Sequence, residues 1–226
     1  MTARRRVSIV IPTLNAGPLL GRLLDAVDGQ EGDYDRELIA IDSGSTDGTL
    51  DRLRDRGVII RHVPPGGFNH GEARNAALDV ASADVAILLV QDAVPAAPGW
   101  LQALVRPLDA DERVAGSFAR QQPWPDASRL TAYYLDQWVA ARAEPRTVGP
   151  LSRSRLDAML PADRHLSCAF DNVCSCIRMS AWRKYRFRRT PIAEDLLWAR
   201  EVLTAGYRLA YVPEAVVWHS HERPVA

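Results

Sequence analysis

The stretch Ile41-Asp-Ser-Gly-Ser-Thr-Asp-Gly-Thr49 follows a short apolar run at 37–41 and leads into a helix predicted at 49–56. Its serine, threonine and aspartate residues are good helix caps, and its two glycines suit a tight turn. Strand, polar turn and helix in this order form the repeating unit of an α/β sheet. Asp42 would lie at the strand end, where it either caps the turn or accepts the ring N–H of a pyrimidine base.

The same unit recurs through the first half of the chain. Strands are predicted at 7–12, 37–41, 58–63 and 85–90, helices at 18–27, 49–56, 72–80 and 99–108, and a loop at 64–67. The run at 85–90 is apolar throughout, as expected of a central parallel strand covered on both faces. The fold class is therefore α/β, with a mostly parallel central sheet flanked by helices and ligands beyond the carboxyl ends of its strands.

The second half of the chain is less regular. Strands are predicted at 114–120, 170–178, 207–212 and 215–218, and helices at 128–143 and 194–205. The polar stretch at 146–164 is predicted to be a mobile loop. No sharp change of composition marks a boundary, so we expect one domain.

Composition is that of an ordinary folded domain. Of the 226 residues, 47% are apolar and 25% are charged, and the formal charges sum to zero. Such a chain can bury one core, and no global field favours nucleic acid or a membrane surface. No apolar run approaches the ~20 residues that span a bilayer, and no signal peptide is expected. Three cysteines without a framework spacing predict a reduced, cytoplasmic protein.

Two segments have the chemistry of a metal site. Asp92 follows the central strand, where a carboxylate either caps a turn or binds a divalent cation that bridges a diphosphate. His219 and His221 lie two residues apart near the end of the last strand, and they either ligate metal, touch phosphate or belong to an exposed tail. Cys174 and Cys176 are interpreted as buried strand residues, because no second Cys/His pair completes a zinc set.

Two helix starts carry candidate groups. His70 and Arg74 lie at the start of a helix, which suits a diphosphate, although an ion pair of Glu72 on a surface helix is the alternative. Glu194 and Asp195 begin a later helix, where the helix dipole favours acids in any case, and Asp195 is a candidate general base. The basic and aromatic residues at 182–189 could meet a membrane or a lipid-linked pyrophosphate, but a solvated face is favoured.

Taken in order, these motifs resemble the family 2 glycosyltransferases with the GT-A fold. The resemblance covers about residues 6–221 and rests on Val7-Ser-Ile-Val-Ile-Pro-Thr-Leu-Asn15, Ile41 to Thr49, Gly71-Glu-Ala-Arg-Asn75, Gln91-Asp92-Ala93 and Glu194-Asp195. Within the family, Gly67-Phe-Asn-His-Gly71, Gln91-Asp92-Ala93 and Phe170-Asp-Asn-Val173 resemble a branch often labelled rhamnosyltransferases. The implied architecture is one GT-A domain over 1–226, with a nucleotide-sugar-binding half at about 6–110 and an acceptor-side half at about 111–221.

The resemblance implies a role for each matching residue. Asp195 takes the place of the catalytic base, with Glu194 beside it. Asp92 takes the place of the last acid in the family's Asp-x-Asp metal motif, and His219 would complete that site. Gln91 departs from the pattern, because it replaces the first acid and leaves one carboxylate for the metal. The nucleotide-sugar side comprises Pro12, Thr13, Asn15, Asp42, Ser43, His70, Arg74, Asn75 and Gln91, and the acceptor side comprises Asp171, Asn172 and Trp138.

These roles imply an inverting glycosyltransferase. It would move a sugar, with rhamnose as one candidate, from a dTDP or UDP sugar to a hydroxyl of a glycan or lipid-linked acceptor in cell-surface glycan synthesis, with Mg²⁺ or Mn²⁺ as cofactor. We expect a cytoplasmic protein with at most peripheral contact at the inner face of the membrane, and no nucleic-acid partner. The alternatives are a non-catalytic sugar-nucleotide-binding protein or partner subunit, and a nucleotidyltransferase. The latter should carry a basic, glycine-rich loop after its first strand, and Thr13-Leu-Asn-Ala-Gly17 has no basic residue.

Overall fold

The computed structural model describes residues 4–63 and 68–221, so the loop predicted at 64–67 lies outside the described residues. The described chain forms one mixed sheet with helices packed on both faces. Its strands are β1 (Arg5–Thr13), β2 (Tyr34–Asp42), β3 (Ile59–His62), β4 (Val85–Leu89), β5 (Val94–Pro95), β6 (Val114–Gln122), β7 (Arg146–Val148), β8 (Cys174–Arg178) and β9 (Arg208–Trp218). Its helices are α1 (Leu19–Asp28), α2 (Thr49–Asp55), α3 (His70–Leu78), α4 (Trp100–Ala110), α5 (Arg129–Asp136), α6 (Arg153–Ala158), α7 (Pro161–Ser167), α8 (Met179–Lys184) and α9 (Glu194–Thr204), and Val139–Ala141 form a 3₁₀ turn.

The strand order is β3-β2-β1-β4-β8-β6-β9-β5, and β7 pairs with the first part of β9. Strands β3, β2, β1 and β4 pair in parallel, as do β6 and β9. Strand β8 lies antiparallel between β4 and β6. The amino end of β8 therefore lies at the edge where β1, β2, β4, β6 and β9 have their carboxyl ends, and ligands of open α/β sheets bind at that edge.

Two apolar layers hold the helices onto the sheet. On one face, α1 and α4 bury side chains such as Leu23 and Trp100 against Ile9 of β1. On the other face, α3, α8 and α9 pack around Trp198 and Val10. Successive side chains of a strand point to opposite faces of the sheet, so neighbouring residues of β1 contribute to both apolar layers. The all-buried pattern of β4 agrees with the predicted central strand.

The prediction of a mobile loop at 146–164 is wrong. Its first residues form β7, which pairs antiparallel with β9 from Arg146 opposite Tyr211 to Val148 opposite Leu209. The rest contains α6 and part of α7, and Leu156 of α6 is fully buried. Because these contacts are made with residues some 60 positions away, the local polar composition gives no sign of them.

Other boundaries also differ from the predictions. The helix predicted at 128–143 is α5 followed by the 3₁₀ turn, and the strand predicted at 170–178 begins only at Cys174, because the Asp171 carboxylate accepts the N–H of Val173 at 2.9 Å and makes a turn. The strands predicted at 207–212 and 215–218 are one strand, β9, whose pairing with β6 shifts register between Val212 and Val216. Strand β5 and helix α8 were not predicted, since both are short.

Candidate active site

Polar segments from several strands meet at one edge of the sheet. Thr13 ends β1 and is the register partner of Asp42, which ends β2. Asp92 follows β4, His219 follows β9, and Asn172 precedes the antiparallel β8. The strand order, rather than the chain order, brings these residues to the same crevice.

The carboxylate of Asp42 is fully buried and accepts hydrogen bonds at both oxygens. The backbone N–H groups of Gly44 and Ser45 donate to Oδ1 at 2.9 Å each, and the hydroxyls of Thr13 and Ser45 donate to Oδ2 at 3.0 and 2.5 Å. Burial by itself raises the pKa of Asp42, but these donors outweigh it and hold the pKa below its usual value. Asp42 thus orders the turn after β2, and its contact with a nucleoside base stays a prediction.

Two side chains tie the turn after β1 to its neighbours. The backbone N–H of Asn15 donates to the Ser45 hydroxyl at 2.9 Å, and the Asn15 side chain accepts the N–H of Thr46 at 2.8 Å. The Gln91 amide accepts the N–H of Leu14 at 2.8 Å and donates to its carbonyl at 3.1 Å. An aspartate at position 91 has no N–H for that carbonyl, so the departure from Asp-x-Asp gives this chain a clamp between β1 and β4.

A pocket of about 340 Å³ opens between these turns. The buried hydroxyl of Ser43 has no partner within the described residues, as expected of a group that faces a ligand. Burial and the charge of Arg74 lower the pKa of His70, so its imidazole is neutral at pH 7. Of the predicted nucleotide-sugar residues, Pro12, Thr13, Ser43, His70, Arg74 and Gln91 line the pocket, and Leu14, Phe68 and Val90 complete its described lining.

Asn15, Asp42 and Asn75 do not belong to that lining. Asn75 is instead a packing residue: its amide donates to the carbonyl of Phe187 at 2.8 Å and accepts the indole N–H of Trp182 at 2.9 Å. The sequence motif placed Asn75 beside Arg74, but on helix α3 the two adjacent side chains point in different directions. The apolar walls Leu14 and Phe68 were missed, although Leu14 is next to Thr13 and Phe68 is two residues before His70.

A buried ion pair joins the two halves of the chain. The guanidinium of Arg74 in α3 donates to the carboxylate of Glu194 in α9, and both side chains are buried. The side chain of Asn172, also buried, contacts the same carboxylate oxygen at 3.5 Å. Glu194, predicted beside the catalytic base, therefore neutralises Arg74, and the base role of its neighbour Asp195 stays a prediction.

The surroundings of Asp195 raise the pKa of its carboxyl group. Burial is the largest cause, and the negative charges of Glu194 and Asp171 add to it, so the pKa of Asp195 is raised to about 6. The N–H groups of Leu196, at 2.8 Å, and Asn172, at 3.4 Å, hold the carboxylate and partly offset the rise. A general base acts best when its pKa lies near the working pH, and Asp195 meets that condition.

Asp92, His219 and His221 form the metal-ligand grouping of the described residues. Their candidate ligand atoms all lie within 4.8 Å of one another, and Asp92 lies 3.8 Å from Nε2 of His219 and 3.6 Å from Nδ1 of His221. One carboxylate and two imidazoles fit a divalent transition metal, and they suit Mg²⁺ less well because it prefers oxygen ligands. The predicted residues Asp92 and His219 come together, and His221 joins them.

A relay of side chains orients His219. The Asp171 carboxylate accepts the side-chain N–H of Gln121 at 2.6 Å and the indole N–H of Trp138 at 2.7 Å. The Gln121 amide must then present its oxygen to Nδ1 of His219, 2.9 Å away, so that Nδ1 carries the proton. The Nε2 lone pair consequently faces Asp92, and burial lowers the pKa of His219, which keeps the ring neutral. Sequence reasoning missed Gln121, since nothing local marks it.

The basic segment at 182–189 is largely neutralised. Arg186 pairs with Asp79 and lies over the ring of Trp182, Arg188 pairs with Glu201, and Arg189 pairs with Glu72. These contacts favour the interpretation of a solvated face. Cys174 and Cys176 are buried in β8, burial raises the pKa of Cys176 to about 12, and neither belongs to the metal grouping found in the described residues. None of the helices described has the length and apolar character needed to cross a bilayer.

Comparison with known proteins gives the family. Residues 8–149 match the family described as Glycosyl transferase family 2. The chain belongs to glycosyl transferase family 2. The O-antigen chain rhamnosyltransferase RfbN of Salmonella typhimurium is 31% identical over 220 residues, which are 96% of this chain and 67% of the relative. The rhamnosyltransferase WbaN of Salmonella anatum is 30% identical over 95% of this chain and 66% of its own length.

Two solved structures superpose on nearly the whole of this chain. The mannosyltransferase PcManGT of Pyrobaculum calidifontis, solved with GDP-Man and Mn²⁺, superposes with a TM-score of 0.69 at 23% identity and covers 99% of this chain. The S. aureus TarS 1–349 structure with UDP-GlcNAc has a TM-score of 0.69 at 15% identity and covers 98% of it. This chain spans about two thirds of the two rhamnosyltransferases and 59% and 60% of the two solved chains.

The family assignment confirms the predicted family, the GT-A fold and the enzyme class of glycosyltransferase. It also confirms the resemblance to the rhamnosyltransferase branch and decides against the nucleotidyltransferase alternative. The individual roles of the site residues remain predictions, and the geometry above shows which of them share a crevice.

Proposed function

We propose that this glycosyl transferase family 2 domain transfers a sugar with inversion from a nucleoside-diphosphate sugar to an acceptor hydroxyl, with Asp195 as the base. The observation that carries the proposal is the Asp195 carboxylate, which is mostly buried, has a pKa of about 6, and is held by Asn172 at the same edge as Asp92 and His219. A single displacement needs one carboxylate that removes the proton of the acceptor hydroxyl.

The donor would occupy the 340 Å³ pocket. Its size suits a nucleoside, its apolar walls suit a base, and the unpartnered Ser43 hydroxyl suits a polar atom of the base or ribose. Arg74 lies in the same lining, although Glu194 already neutralises it. We propose dTDP or UDP as the nucleotide. The names of the two Salmonella relatives support rhamnose as the sugar and a growing glycan as the acceptor.

Asp92 and His219, with His221, would hold the divalent cation. When bound, a cation supplies positive charge to the diphosphate leaving group. The donor set supports Mn²⁺ over Mg²⁺, and the relay from Asp171 through Gln121 presents Nε2 of His219 as a ligand.

The acceptor hydroxyl would donate its proton to the Asp195 carboxylate as its oxygen attacks the anomeric carbon. Asp195 must be ionised to accept that proton, so turnover should fall as the pH drops through about 6. Glu194 cannot replace it, because its carboxylate is occupied by Arg74. We also propose a cytoplasmic location at the inner face of the membrane, where the named O-antigen relatives would find a lipid-linked glycan.

The test is transfer by Asp195→Asn. We expect turnover roughly 10²–10⁴-fold below that of the wild type, while the thermal shift produced by nucleotide diphosphate with Mn²⁺ is retained. NMR of the product should show an anomeric configuration opposite to that of the donor. Asp163→Asn in α7 is the control, because this acid lies outside the site. Wild-type turnover in Asp195→Asn, or retention of configuration, would remove Asp195 from the role. Nucleotide binding without any transfer or donor hydrolysis would favour the non-catalytic binding protein.

A further inference from the structure

A second pocket, of about 560 Å³, lies in the acceptor-side half beside the metal-ligand grouping. One wall comes from α5 and the turn after it, with Leu130, Tyr134 and Trp138. The opposite wall contains His219 and His221. Two of the three candidate metal ligands, His219 and His221, therefore line this pocket, and both also lie close to the third, Asp92.

We propose that this pocket, named here the ring pocket, binds an uncharged pyranose ring of the acceptor by stacking on Tyr134 and Trp138. The inference rests on the proposed function and adds where the acceptor glycan binds and that the ring bound there is uncharged. Tyr134 becomes an acceptor-specificity residue.

The chemistry of the lining selects a neutral ring. Its described residues include no Lys, Arg, Asp or Glu, so among them a phosphate or a carboxylate finds no guanidinium or ammonium to pair with. A pyranose has an apolar C–H face that packs on an aromatic ring, and a rim of hydroxyls that needs polar partners. Gln121 and Ser220 supply side-chain polar groups at the edge of the ring pocket.

The α5 wall of the ring pocket is exposed, and the side chain of Trp138 in it is held in place by neighbouring residues. No residue of α5 is buried, and the side chains of Leu130 and Tyr134 are 51% and 65% exposed. The helix thus presents apolar surface to the pocket that the rest of the described chain leaves uncovered. The indole of Trp138 is held by its hydrogen bond to Asp171 and by a ring contact with His165, so this wall is ordered before a ligand binds.

The position of the ring pocket matches the reaction. Gln91 lines the donor pocket, and the next residue, Asp92, belongs to the metal-ligand grouping that faces the ring pocket. On the other side, Asp171 accepts from Trp138, and its neighbour Asn172 donates its backbone N–H to Asp195. A sugar stacked on Trp138 would therefore lie beside His219 and His221 of the metal-ligand grouping, and Asp171 and Asn172 connect this wall of the ring pocket to Asp195.

Saturation-transfer NMR tests this inference on the whole chain, with a panel of methyl pyranosides as probes. We expect saturation of the ring protons in the wild type and a dissociation constant raised about tenfold or more in Tyr134→Ala, whereas Tyr134→Phe keeps binding. Leu160→Ala is the control, because Leu160 is 70% exposed and does not line the ring pocket, whereas the ring of Tyr133 contacts that of Tyr134 at a centroid distance of 5.8 Å. Binding in Leu160→Ala should equal that of the wild type.

The opposite results overturn the inference. These are equal binding in Tyr134→Ala and Leu160→Ala, no ring-proton saturation in the wild type, stronger binding of hexose 6-phosphates than of methyl pyranosides, or saturation of a farnesyl chain in preference to the sugar. The Mn²⁺-dependent thermal shift, measured on each variant, reports that the fold and the metal-ligand grouping are intact. A failure of the proposed function looks different: methyl pyranosides bind, but no nucleotide diphosphate does.

Discussion

The donor side and the acceptor side of the crevice are stabilised in opposite ways. On the donor side, the Asp42 carboxylate is satisfied by donors of neighbouring turns, and its pKa is lowered. On the acceptor side, the Asp195 carboxylate is mostly buried near two other acids, and its pKa is raised. The first arrangement stabilises the fold, and the second costs stability in order to keep a reactive group. The comparison indicates that a carboxylate at this edge stabilises the fold where it is fully hydrogen bonded, and is available for proton transfer where it is not.

The largest effect is expected where the two sides are joined. Arg74→Met removes the cation from the buried pair and leaves Glu194 unpaired, so the free energy of unfolding should fall by about 3–5 kcal/mol, as measured by urea unfolding. The double variant Arg74→Met/Glu194→Leu should recover most of the loss, because both charges of the buried pair are then removed. Arg189→Met breaks the exposed pair with Glu72 and should cost less than about 1 kcal/mol. A similar loss in both single variants would show that the Arg74 pair is no stronger than a surface contact.

The donor side should lose stability when its carboxylate becomes an amide. Asp42→Asn keeps one acceptor oxygen and turns an NH₂ group toward donors, so we expect a loss of about 2–3 kcal/mol in urea unfolding at pH 7. Because the folded pKa of Asp42 is lowered, the wild-type advantage is present above the unfolded pKa of about 4 and disappears as the pH falls through the lower folded value. Asp51→Asn, at an exposed position of α2, is the control. A pH-independent difference would contradict the charge-based explanation.

On the acceptor side, the contribution of Asp195 to stability should change with pH in the opposite direction. The pKa of Asp195 rises from 3.8 to about 6, which corresponds to roughly 3 kcal/mol of destabilisation when the group is ionised. Wild-type stability should therefore fall as the pH rises from about 4 to 6, and Asp195→Asn should escape this loss. We expect the Tm of the variant to exceed that of the wild type by several degrees at pH 7.5, and by little at pH 4. A lower Tm of the variant at both pH values would show that its hydrogen bonds outweigh the charge repulsion.

The smallest expected effect concerns metal affinity. Gln121→Ala removes the acceptor that fixes the proton on Nδ1 of His219, so Mn²⁺ affinity should fall roughly 10–100-fold, as measured by calorimetry. Gln122→Ala is the control, because the next residue of β6 points to the other face of the sheet. In the wild type, Mn²⁺ should bind more tightly than Mg²⁺. Equal affinities of the two glutamine variants would exclude the relay from Asp171.

Local patterns predicted the strand, turn and helix around Asp42 well. The turn after β2, with its caps and glycines, identified the strand, the helix and Asp42, because the donors that satisfy Asp42 lie mostly within three residues of it. The acceptor side was predicted less well. The ring pocket and the role of Gln121 depend on α5, β6 and β9, which lie far apart in the chain and pair only in the sheet. The segment at 146–164 was missed for the same reason, since β7 exists through its pairing with β9.

The sequence by itself determined the α/β class, the family and the acids at 42, 92 and 195, because strand periodicity, turn chemistry and the order of motifs are local properties. Only the tertiary structure decided what each acid does. The antiparallel insertion of β8 carries Asp171 and Asn172 to the carboxyl edge, and α9 sets Glu194 against Arg74, while Asp195 forms no salt bridge among the described residues. A carboxylate takes its pKa from its neighbours in space, and those neighbours are fixed by the packing of the whole sheet.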